Sequence, residues 1–120
     1  MKIVYAAQQP IDRSDDGVDA LRLVNREQGA KTMTAGVATF EPGAAILLHT
    51  HPCEETVIIL EGQATAHVDG QIFQLGKYDA TIVPPGVPHR FLNESGKPMV
   101  IAYFYPAIDV SRDPVSCENG

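Results

Sequence analysis

The sequence predicts an all-β protein, a small antiparallel β-barrel with little helix. Glycines stand at positions 62, 70, 76, 86 and 96, with short β-prone segments between them, and this regular spacing is typical of sandwiches and barrels. An Asp69-Gly70 pair separates two such segments, and this pair favours a two-residue type I′ hairpin turn. The run from Met99 to Tyr105 is almost wholly apolar, which indicates a strand buried on both faces.

The chain of 120 residues is long enough for one domain with its own core. We place the barrel core at about residues 30–106 and a polar tail at 107–120, which is expected to be a loose arm or an arm that contacts a partner. Hydrophobic residues make up 44% of the chain and charged residues 20%, as in ordinary globular proteins. The sequence is therefore treated as a single folded unit.

Composition also excludes several classes of partner. The nine Lys and Arg are scattered and the formal net charge is −6, so we expect no binding to nucleic acid. No apolar run approaches the ~20 residues that cross a bilayer, so we expect no membrane partner. The short apolar start does not fit a signal peptide, and two cysteines are too few for a disulfide framework. We expect a cytoplasmic protein.

The first part of the chain is the least regular. Residues 2–5 are expected to form a short edge strand, and residues 10–17 a loop. A strand at 21–24 competes with a helix over 19–28, and the strand is favoured because the polar residues 25–29 then form a turn. Further strands are expected at residues 31–40, 44–51, 57–60, 64–68, 71–75, 80–83, 88–93 and 99–105.

Two histidines one residue apart are the first sign of chemistry. Side chains alternate along a strand, so His49 and His51 project from the same face. Pro52 then breaks the strand, which allows Glu55 to turn back toward the pair. A stiff loop with three prolines delivers His89 before another apolar run. Imidazole and carboxylate ligands suit first-row divalent metals, so this pattern predicts a metal site.

These two stretches resemble the two motifs of the cupin family. The first motif is Gly, five residues, His-x-His, three or four residues, Glu, six residues and Gly, and it is matched by Gly43, His49, His51, Glu55 and Gly62. The second motif is Gly, five residues, Pro-x-Gly, two residues, His, three residues and Asn, and it is matched by Pro84, Gly86, His89 and Asn93. Tyr78 stands where the second motif begins with glycine.

The resemblance implies a jelly roll, also called a double-stranded β-helix. It also implies one divalent transition metal per chain (Fe, Mn, Ni, Cu or Zn), held by His49, His51, Glu55 and His89. Proteins of this family often form dimers. Their functions include dioxygenases, decarboxylases, isomerases, lyases, sugar-binding domains and storage proteins, and the fold does not choose among them.

Other polar side chains near the two motifs are considered as candidate members of the site. Glu54 is out of phase with the histidine pair, so Glu55 is the favoured carboxylate, and Cys53 is interpreted as a buried or loop thiol. His67 lies beside the hairpin turn and is interpreted as a structural or surface histidine. Arg90 should point away from the face of His89, in a salt bridge or at the surface.

The sequence does not determine every side chain that faces the site. Tyr103, Phe104 and Tyr105 could supply a phenol or pack in the core, and strand alternation does not decide which ring faces the metal. Val57, Ile59 and Phe91 are expected to form an apolar wall, because they share the phase of the ligands.

Three imidazoles and one carboxylate around a dication leave a net charge near +1, which favours an oxygen ligand. Six-coordination leaves two open positions for a chelating substrate, or for a substrate and O₂. We therefore expect a small metal-dependent enzyme that acts on an oxygen-rich small molecule, with dioxygenase chemistry first and lyase or isomerase chemistry close behind. The alternatives are a non-catalytic binding protein and a closed structural zinc site.

A homodimer is also expected. Residues 57–60 and 99–105 are apolar on both faces, and this is more apolar surface than one small barrel readily buries.

Overall fold

The computed structural model describes residues 1–115, and in them the chain folds into two five-stranded β-sheets. Two short 3₁₀ helices, Ala6–Gln8 and Arg26–Gln28, are the helical segments of this part of the chain. The strands are β1 Val18–Val24, β2 Thr34–Phe40, β3 His49–Thr50, β4 Glu55–Glu61, β5 Ala64–Val68, β6 Gln71–Leu75, β7 Ala80–Val83, β8 His89–Leu92, β9 Met99–Tyr105 and β10 Asp113–Pro114.

Every pair of neighbouring strands is antiparallel. The first sheet has the order β1-β2-β9-β4-β7, and the second has the order β10-β3-β8-β5-β6. Strands that follow each other in the chain often lie in different sheets, as a jelly roll requires. The predicted all-β jelly roll is confirmed.

The core lies between the two sheets. Phe40, Ile59 and Met99 come from the first sheet, and Ala66 and Phe91 from the second; each has 1% or less of its surface exposed. Burial of these side chains removes apolar surface from water, which is the main force that holds the two sheets together. The same packing fixes the inner face on which the candidate site is built.

The β5–β6 hairpin matches the prediction from sequence. Strands β5 and β6 have the predicted bounds. The turn between them has positive φ at both central residues, 51° at Asp69 and 78° at Gly70. This is the backbone of a type I′ turn, which follows the right-handed twist of the two strands.

Tyr78 takes an unusual backbone conformation. It stands where the second motif has glycine, and its φ of 71° lies in the left-handed region that glycine adopts most easily. The matched glycines Gly43, Gly62 and Gly86 also have positive φ, at 86°, 79° and 75°. The turn therefore keeps the shape that the motif requires, although a tyrosine occupies it.

Two predicted strands are wrong. Residues 2–5 form no strand, and Ile3 and Tyr5 are 60% and 61% exposed. Residues 44–51 do not form a continuous strand: β3 contains His49 and Thr50, and Ala45 makes one isolated bridge to Leu92. Between these two places Leu47 is 63% exposed, and its carbonyl accepts a hydrogen bond from the His49 ring, so this stretch lies at the surface and contacts the ligand side chain.

The beginning of the tail is ordered rather than loose. Strand β10 pairs with β3, and the Val115 amide donates to the Leu48 carbonyl at 3.0 Å. Arg112 donates two hydrogen bonds to Asp15. The prediction of a loose arm is therefore wrong for residues 107–115, while residues 116–120 lie outside the described residues.

The apolar strands that suggested a dimer are packed within one chain. Val57 and Ile59 on β4 and Met99 and Ile101 on β9 are at most 4% exposed. On the same strands Ile58 and Val100 keep part of their surface exposed, and the dimer stays a prediction. Within residues 1–115, no helix combines the length and the apolar character that crossing a bilayer requires.

Candidate metal centre

The structure brings three of the predicted ligands together inside the fold. His49 and His89 face each other across the antiparallel pair β3–β8, and His51 follows two residues later on the same side. The ring centroids are 4.4 Å apart for His49 and His89, 4.7 Å for His49 and His51, and 5.1 Å for His51 and His89. Each ring offers a nitrogen within 4.8 Å of the other two, so the three histidines could hold a metal ion.

The backbone fixes which nitrogen of each ring is free. Nδ1 of His49 lies 2.6 Å from the Leu47 carbonyl, and Nδ1 of His89 lies 2.8 Å from the Val87 carbonyl. Nδ1 of His51 lies 2.8 Å from the carbonyl of Ser111. A carbonyl can only accept, so each Nδ1 carries the proton and each neutral ring keeps its Nε2 lone pair for a metal.

Glu55 approaches the histidines from the opposite sheet. It begins β4, is 5% exposed, and places Oε1 at 2.8 Å from His89 Nε2 and Oε2 at 3.5 Å from His51 Nε2. Oε1 of Glu55 and Nε2 of His89 are both buried without a hydrogen-bond partner. Two acceptors that face each other at this distance repel unless a cation or a proton lies between them, so the residues present fit a metal ion.

The protonation states also suit a metal. Burial raises the pKa of Glu55, but its contacts with His51, His89 and Tyr105 outweigh burial and bring this pKa to about 2. At His89 burial lowers the pKa, but the contact with Glu55 outweighs it and raises this pKa, so a metal that binds here displaces a proton from between the two side chains. Burial lowers the pKa of His49 to about 4. At neutral pH the site therefore presents a carboxylate and a neutral imidazole, the forms that bind metals.

Two tyrosines of β9 complete the inner side of the site. The Tyr105 hydroxyl lies 3.2 Å from His51 Nε2. The ring centroids of Tyr103 and Tyr105 are 5.8 Å apart. Both line the cavity, whereas Phe104 does not. Burial raises the pKa of Tyr105 far above its usual range, so this side chain stays a phenol with a proton to donate.

Three of the candidate ligands, His49, His51 and Glu55, line a cavity of about 500 Å³. Val57 and Phe91 form part of its wall, as predicted, together with Ile101. Ile59 is fully buried and does not line the cavity, so its predicted place in the wall is wrong. The wall also contains polar groups, including Arg22 and Arg112, that the sequence did not predict to lie near the candidate ligands.

The rival residues lie outside the cluster. Glu54 is exposed, and Cys53 is half-buried and belongs neither to the histidine cluster nor to the cavity wall. His67 accepts a hydrogen bond of 3.1 Å from Arg90 Nε on the neighbouring strand β8. His67 and Arg90 therefore have the structural role that their positions suggested.

Asn93, the last residue of the second motif, holds the backbone rather than the site. It is 1% exposed, and its amide donates to the carbonyls of Phe40 and Lys97. Its side-chain oxygen accepts hydrogen bonds from Ser95. The residue fixes the turn that leads from β8 toward β9.

Sequence analysis left the orientation of Tyr105 open and missed the Ser111 carbonyl, for different reasons. The orientation of Tyr105 follows from the register of β4 and β9, in which Val57 pairs with Tyr103 and Ile59 with Ile101. Alternation from the buried Ile101 would have placed Tyr105 on the inner face. The Ser111 carbonyl gave no comparable signal, because a backbone acceptor sixty residues from its histidine has no sequence pattern.

Comparisons with known proteins agree with this geometry. The Cupin domain family matches residues 36–105. The polyketide synthase CurC of Streptomyces cyaneus is 36% identical over 66 residues, a match that covers 54% of this chain and 43% of that protein. The chain thus spans less than half the length of this relative.

Two solved structures share the fold. The polyketide cyclase RemF of Streptomyces resistomycificus superposes with a TM-score of 0.80 at 21% identity, over 98% of this chain and 88% of that chain. The oxalate decarboxylase of Bacillus subtilis, a protein with Mn(II) centres, superposes with a TM-score of 0.79 at 25% identity, over 91% of this chain and 30% of that chain.

Proposed function

The chain belongs to the cupin family, and from this premise we propose that it is a metal-dependent enzyme whose substrate is a small oxygen-rich molecule that chelates the metal. His49, His51, His89 and Glu55 would hold one divalent transition ion, Fe, Mn, Ni, Cu or Zn. The Mn(II) centres of the oxalate decarboxylase neighbour support this class of metal. Three neutral imidazoles and one carboxylate leave a net positive centre that attracts oxygen ligands.

The observation that carries the proposal is the cavity. A metal with a purely structural role needs a closed shell of protein ligands, whereas these ligands face a space of about 500 Å³. That volume lies within the roughly 300–1,000 Å³ of small-molecule pockets. Its wall combines the apolar Val57 and Phe91 with a few polar groups, the usual composition of such pockets.

The chain's own residues supply positioning and a proton. A bound metal would polarise the substrate oxygens as a Lewis acid. Tyr105 stays protonated and lies beside His51, so its hydroxyl can donate a hydrogen bond to a substrate oxygen on which negative charge develops. Val57 and Phe91 are apolar parts of the same wall, and a less polar surrounding strengthens such a hydrogen bond.

Among the reactions open to this site, we favour proton transfer next to a carbonyl group, as in a lyase, an isomerase or a cyclase. Tyr105 supports this choice, because a fixed proton donor stabilises an enolate. The likeness to the polyketide synthase CurC supports a substrate with several carbonyl groups. Dioxygenase chemistry is the second candidate, and it is favoured by the two positions that four protein ligands leave open in a six-coordinate ion.

The test uses purified protein loaded separately with Fe(II), Mn(II), Ni(II) and Cu(II). Acetylacetone, a 1,3-diketone, and catechol serve as chelating probes, and the absorption or paramagnetic spectrum of the metal is recorded. We expect at least one probe to shift the spectrum of the wild-type and His67→Ala proteins, but not that of His49→Ala. If no probe shifts any spectrum, the proposal of a substrate-binding metal is wrong.

The two reactions are separated by oxygen. Hydrogen exchange at the central carbon of acetylacetone should continue without O₂ if the site acts by enolisation. Turnover of catechol that consumes O₂ and stops under anaerobic conditions would instead support the dioxygenase. The same loaded protein is used in both assays, so a difference reflects the reaction rather than the metal content.

A further inference from the structure

The three histidines are held in two different ways. His49 and His89 each donate from Nδ1 to the carbonyl two residues earlier, so each ring is fixed by its own segment. His51 instead donates to the carbonyl of Ser111, sixty residues away in the chain. The orientation of His51 therefore depends on how firmly the segment of residues 109–115, called the strap here, is fixed to the barrel.

The strap is attached to the first half of the chain at its start. The backbone amide of Asp109 donates to Asn25 Oδ1 at 3.1 Å, and its carboxylate accepts from Arg26 Nε at 2.5 Å. Just before the strap, Thr34 donates to the Ala107 carbonyl at 2.8 Å. These contacts hold the strap beside the connection between β1 and β2.

The rest of the strap is attached by the residues that follow Ser111. Arg112 makes two hydrogen bonds to Asp15, at 2.8 and 3.0 Å, and the two side chains are 38% and 22% exposed. Strand β10 pairs with β3, and the Val115 amide donates to Leu48. A two-pronged arginine–carboxylate pair fixes geometry as well as charge.

The strap also belongs to the cavity. Asp109, Val110 and Arg112 line it together with His49 and His51. One short segment therefore forms part of the wall and also supplies the hydrogen-bond acceptor for His51. Movement of the strap would change the orientation of a metal ligand and the shape of the pocket together.

We propose that Arg112 is a positioning residue for the metal centre: its pair with Asp15 holds the strap so that the Ser111 carbonyl orients His51. This inference rests on the proposed metal-binding function. Loss of a hydrogen-bond partner that orients a metal-bound histidine commonly weakens metal binding about 10–100-fold. Arg112 acts one step further away, so we expect about a 10-fold loss of metal affinity when it is removed.

The experiment compares Arg112→Gln with the wild-type protein in two measurements. The Zn(II) dissociation constant is determined by competition with a chromophoric chelator. Solvent exchange of the Nδ1–H protons of the histidines is followed by NMR in the metal-free protein. We expect weaker Zn(II) binding and faster exchange at His51, with His49 and His89 unchanged. A role in folding alone would not change one histidine selectively.

Matched variants control for charge and for general destabilisation. Arg13→Gln removes another exposed pair, Arg13–Asp19 at 3.0 Å, and should leave both measurements unchanged. The double exchange Asp15→Arg with Arg112→Asp recreates an opposite-charge pair across the same gap and should restore most of the affinity. Arg112→Lys keeps the charge but not the two-pronged contact, so it should restore only part of it.

The outcomes separate this inference from the proposed function. If Arg112→Gln binds Zn(II) as tightly as the wild type and His51 stays protected from exchange, the positioning role is wrong. If the wild type itself binds no Zn(II), and none of the other proposed ions, the proposed function fails. The exchange of His51 in the metal-free protein then still tests the role of the strap.

Discussion

Polar side chains are buried at the candidate metal centre, whereas apolar side chains are exposed in the β6–β7 region, residues 71–83. At the centre, His49, Glu55 and His89 are 2%, 5% and 1% exposed. In the β6–β7 region, Ile72 and Ile82 are 67% and 69% exposed. Buried polar groups are costly unless they are paired, whereas single exposed apolar residues are ordinary on protein surfaces. The buried polar groups therefore indicate that the candidate metal centre is a functional site.

The comparison also predicts which substitutions should alter metal binding. Each buried histidine is held by a backbone carbonyl, and the facing Glu55 Oε1 and His89 Nε2 repel unless a cation or a proton lies between them. Changes there should alter metal binding and stability together. Changes in the β6–β7 region should alter stability slightly and leave metal binding as it is.

The largest effect is expected from loss of a ligand. A metal that binds the folded state alone adds about 2.7 kcal/mol at a hundredfold excess over its dissociation constant, or about 10 °C in melting temperature for a domain of this size. His49→Ala, His51→Ala, Glu55→Ala and His89→Ala should each remove this metal-dependent gain. Calorimetry with and without metal measures it.

His67→Ala is the matched control for the ligand variants. His67 is paired with Arg90 away from the cluster, so this variant should keep the full metal-dependent gain. Loss of the gain in His67→Ala, together with its retention in His89→Ala, would show that the ligand assignment is wrong.

A smaller effect is expected at Gly36, the strand partner of the cavity-lining Tyr103. An added Cβ there would come too close to the Tyr103 hydroxyl and to the Leu21 carbonyl, and the carbonyl belongs to the paired strand β1 and cannot move freely. Gly36→Ala should lower the free energy of unfolding by about 1–3 kcal/mol in urea titrations. Gly96→Ala, where the added Cβ meets nothing within 4 Å, is the control. Equal stability of the two variants would contradict the packing described for Tyr103.

Tyr105→Phe should affect the ligand rather than the metal. Its hydroxyl is the proposed donor to a substrate oxygen, and a neutral hydrogen bond contributes about 0.5–1.5 kcal/mol. We expect metal affinity close to that of the wild type and acetylacetone binding a few-fold weaker, measured by titration of the loaded protein. Tyr103→Phe should bind the probe as the wild type does. Unchanged probe binding in Tyr105→Phe would remove the proposed role of this phenol.

The smallest expected change is a gain of stability at Tyr78. The left-handed conformation costs a residue other than glycine about 1–2 kcal/mol, and the greater freedom of glycine in the unfolded chain cancels about 0.5–1 kcal/mol of the benefit. Tyr78→Gly should therefore raise the free energy of unfolding by about 0.5–1 kcal/mol. Tyr78→Ala keeps the unfavourable φ and should give no gain. A gain of the same size in both variants would mean that the exposed ring, which lies 5.0 Å from the Lys77 amine, is the cause instead.

Much of this arrangement follows from local sequence. The Asp69-Gly70 turn and the alternation on its two sides determine a hairpin without distant contacts. The His-x-His spacing places two imidazoles on one face wherever the strand lies. These features could be predicted because the chain within a few residues of each one specifies its geometry.

The parts that could not be predicted depend on distant residues. The segment 44–51 was expected to be a regular strand, but the side chain of His49 uses a carbonyl that a strand would have given to its neighbour. The polar strap gave no hydrophobic pattern to read, although Ser111 and Arg112 reach the site through the folded chain. Side chains and carbonyls that meet only after folding leave no periodic signal in the sequence.

The central claim is that His49, His51 and His89 hold one divalent metal ion. The most direct measurement is elemental analysis of the purified wild-type protein by mass spectrometry, followed by X-ray absorption spectroscopy of the metal found. The account predicts about one metal per chain, with a ligand shell that contains three imidazole nitrogens. Protein that stays metal-free after exposure to all five candidate ions, or a bound metal whose shell contains no imidazole, would contradict it.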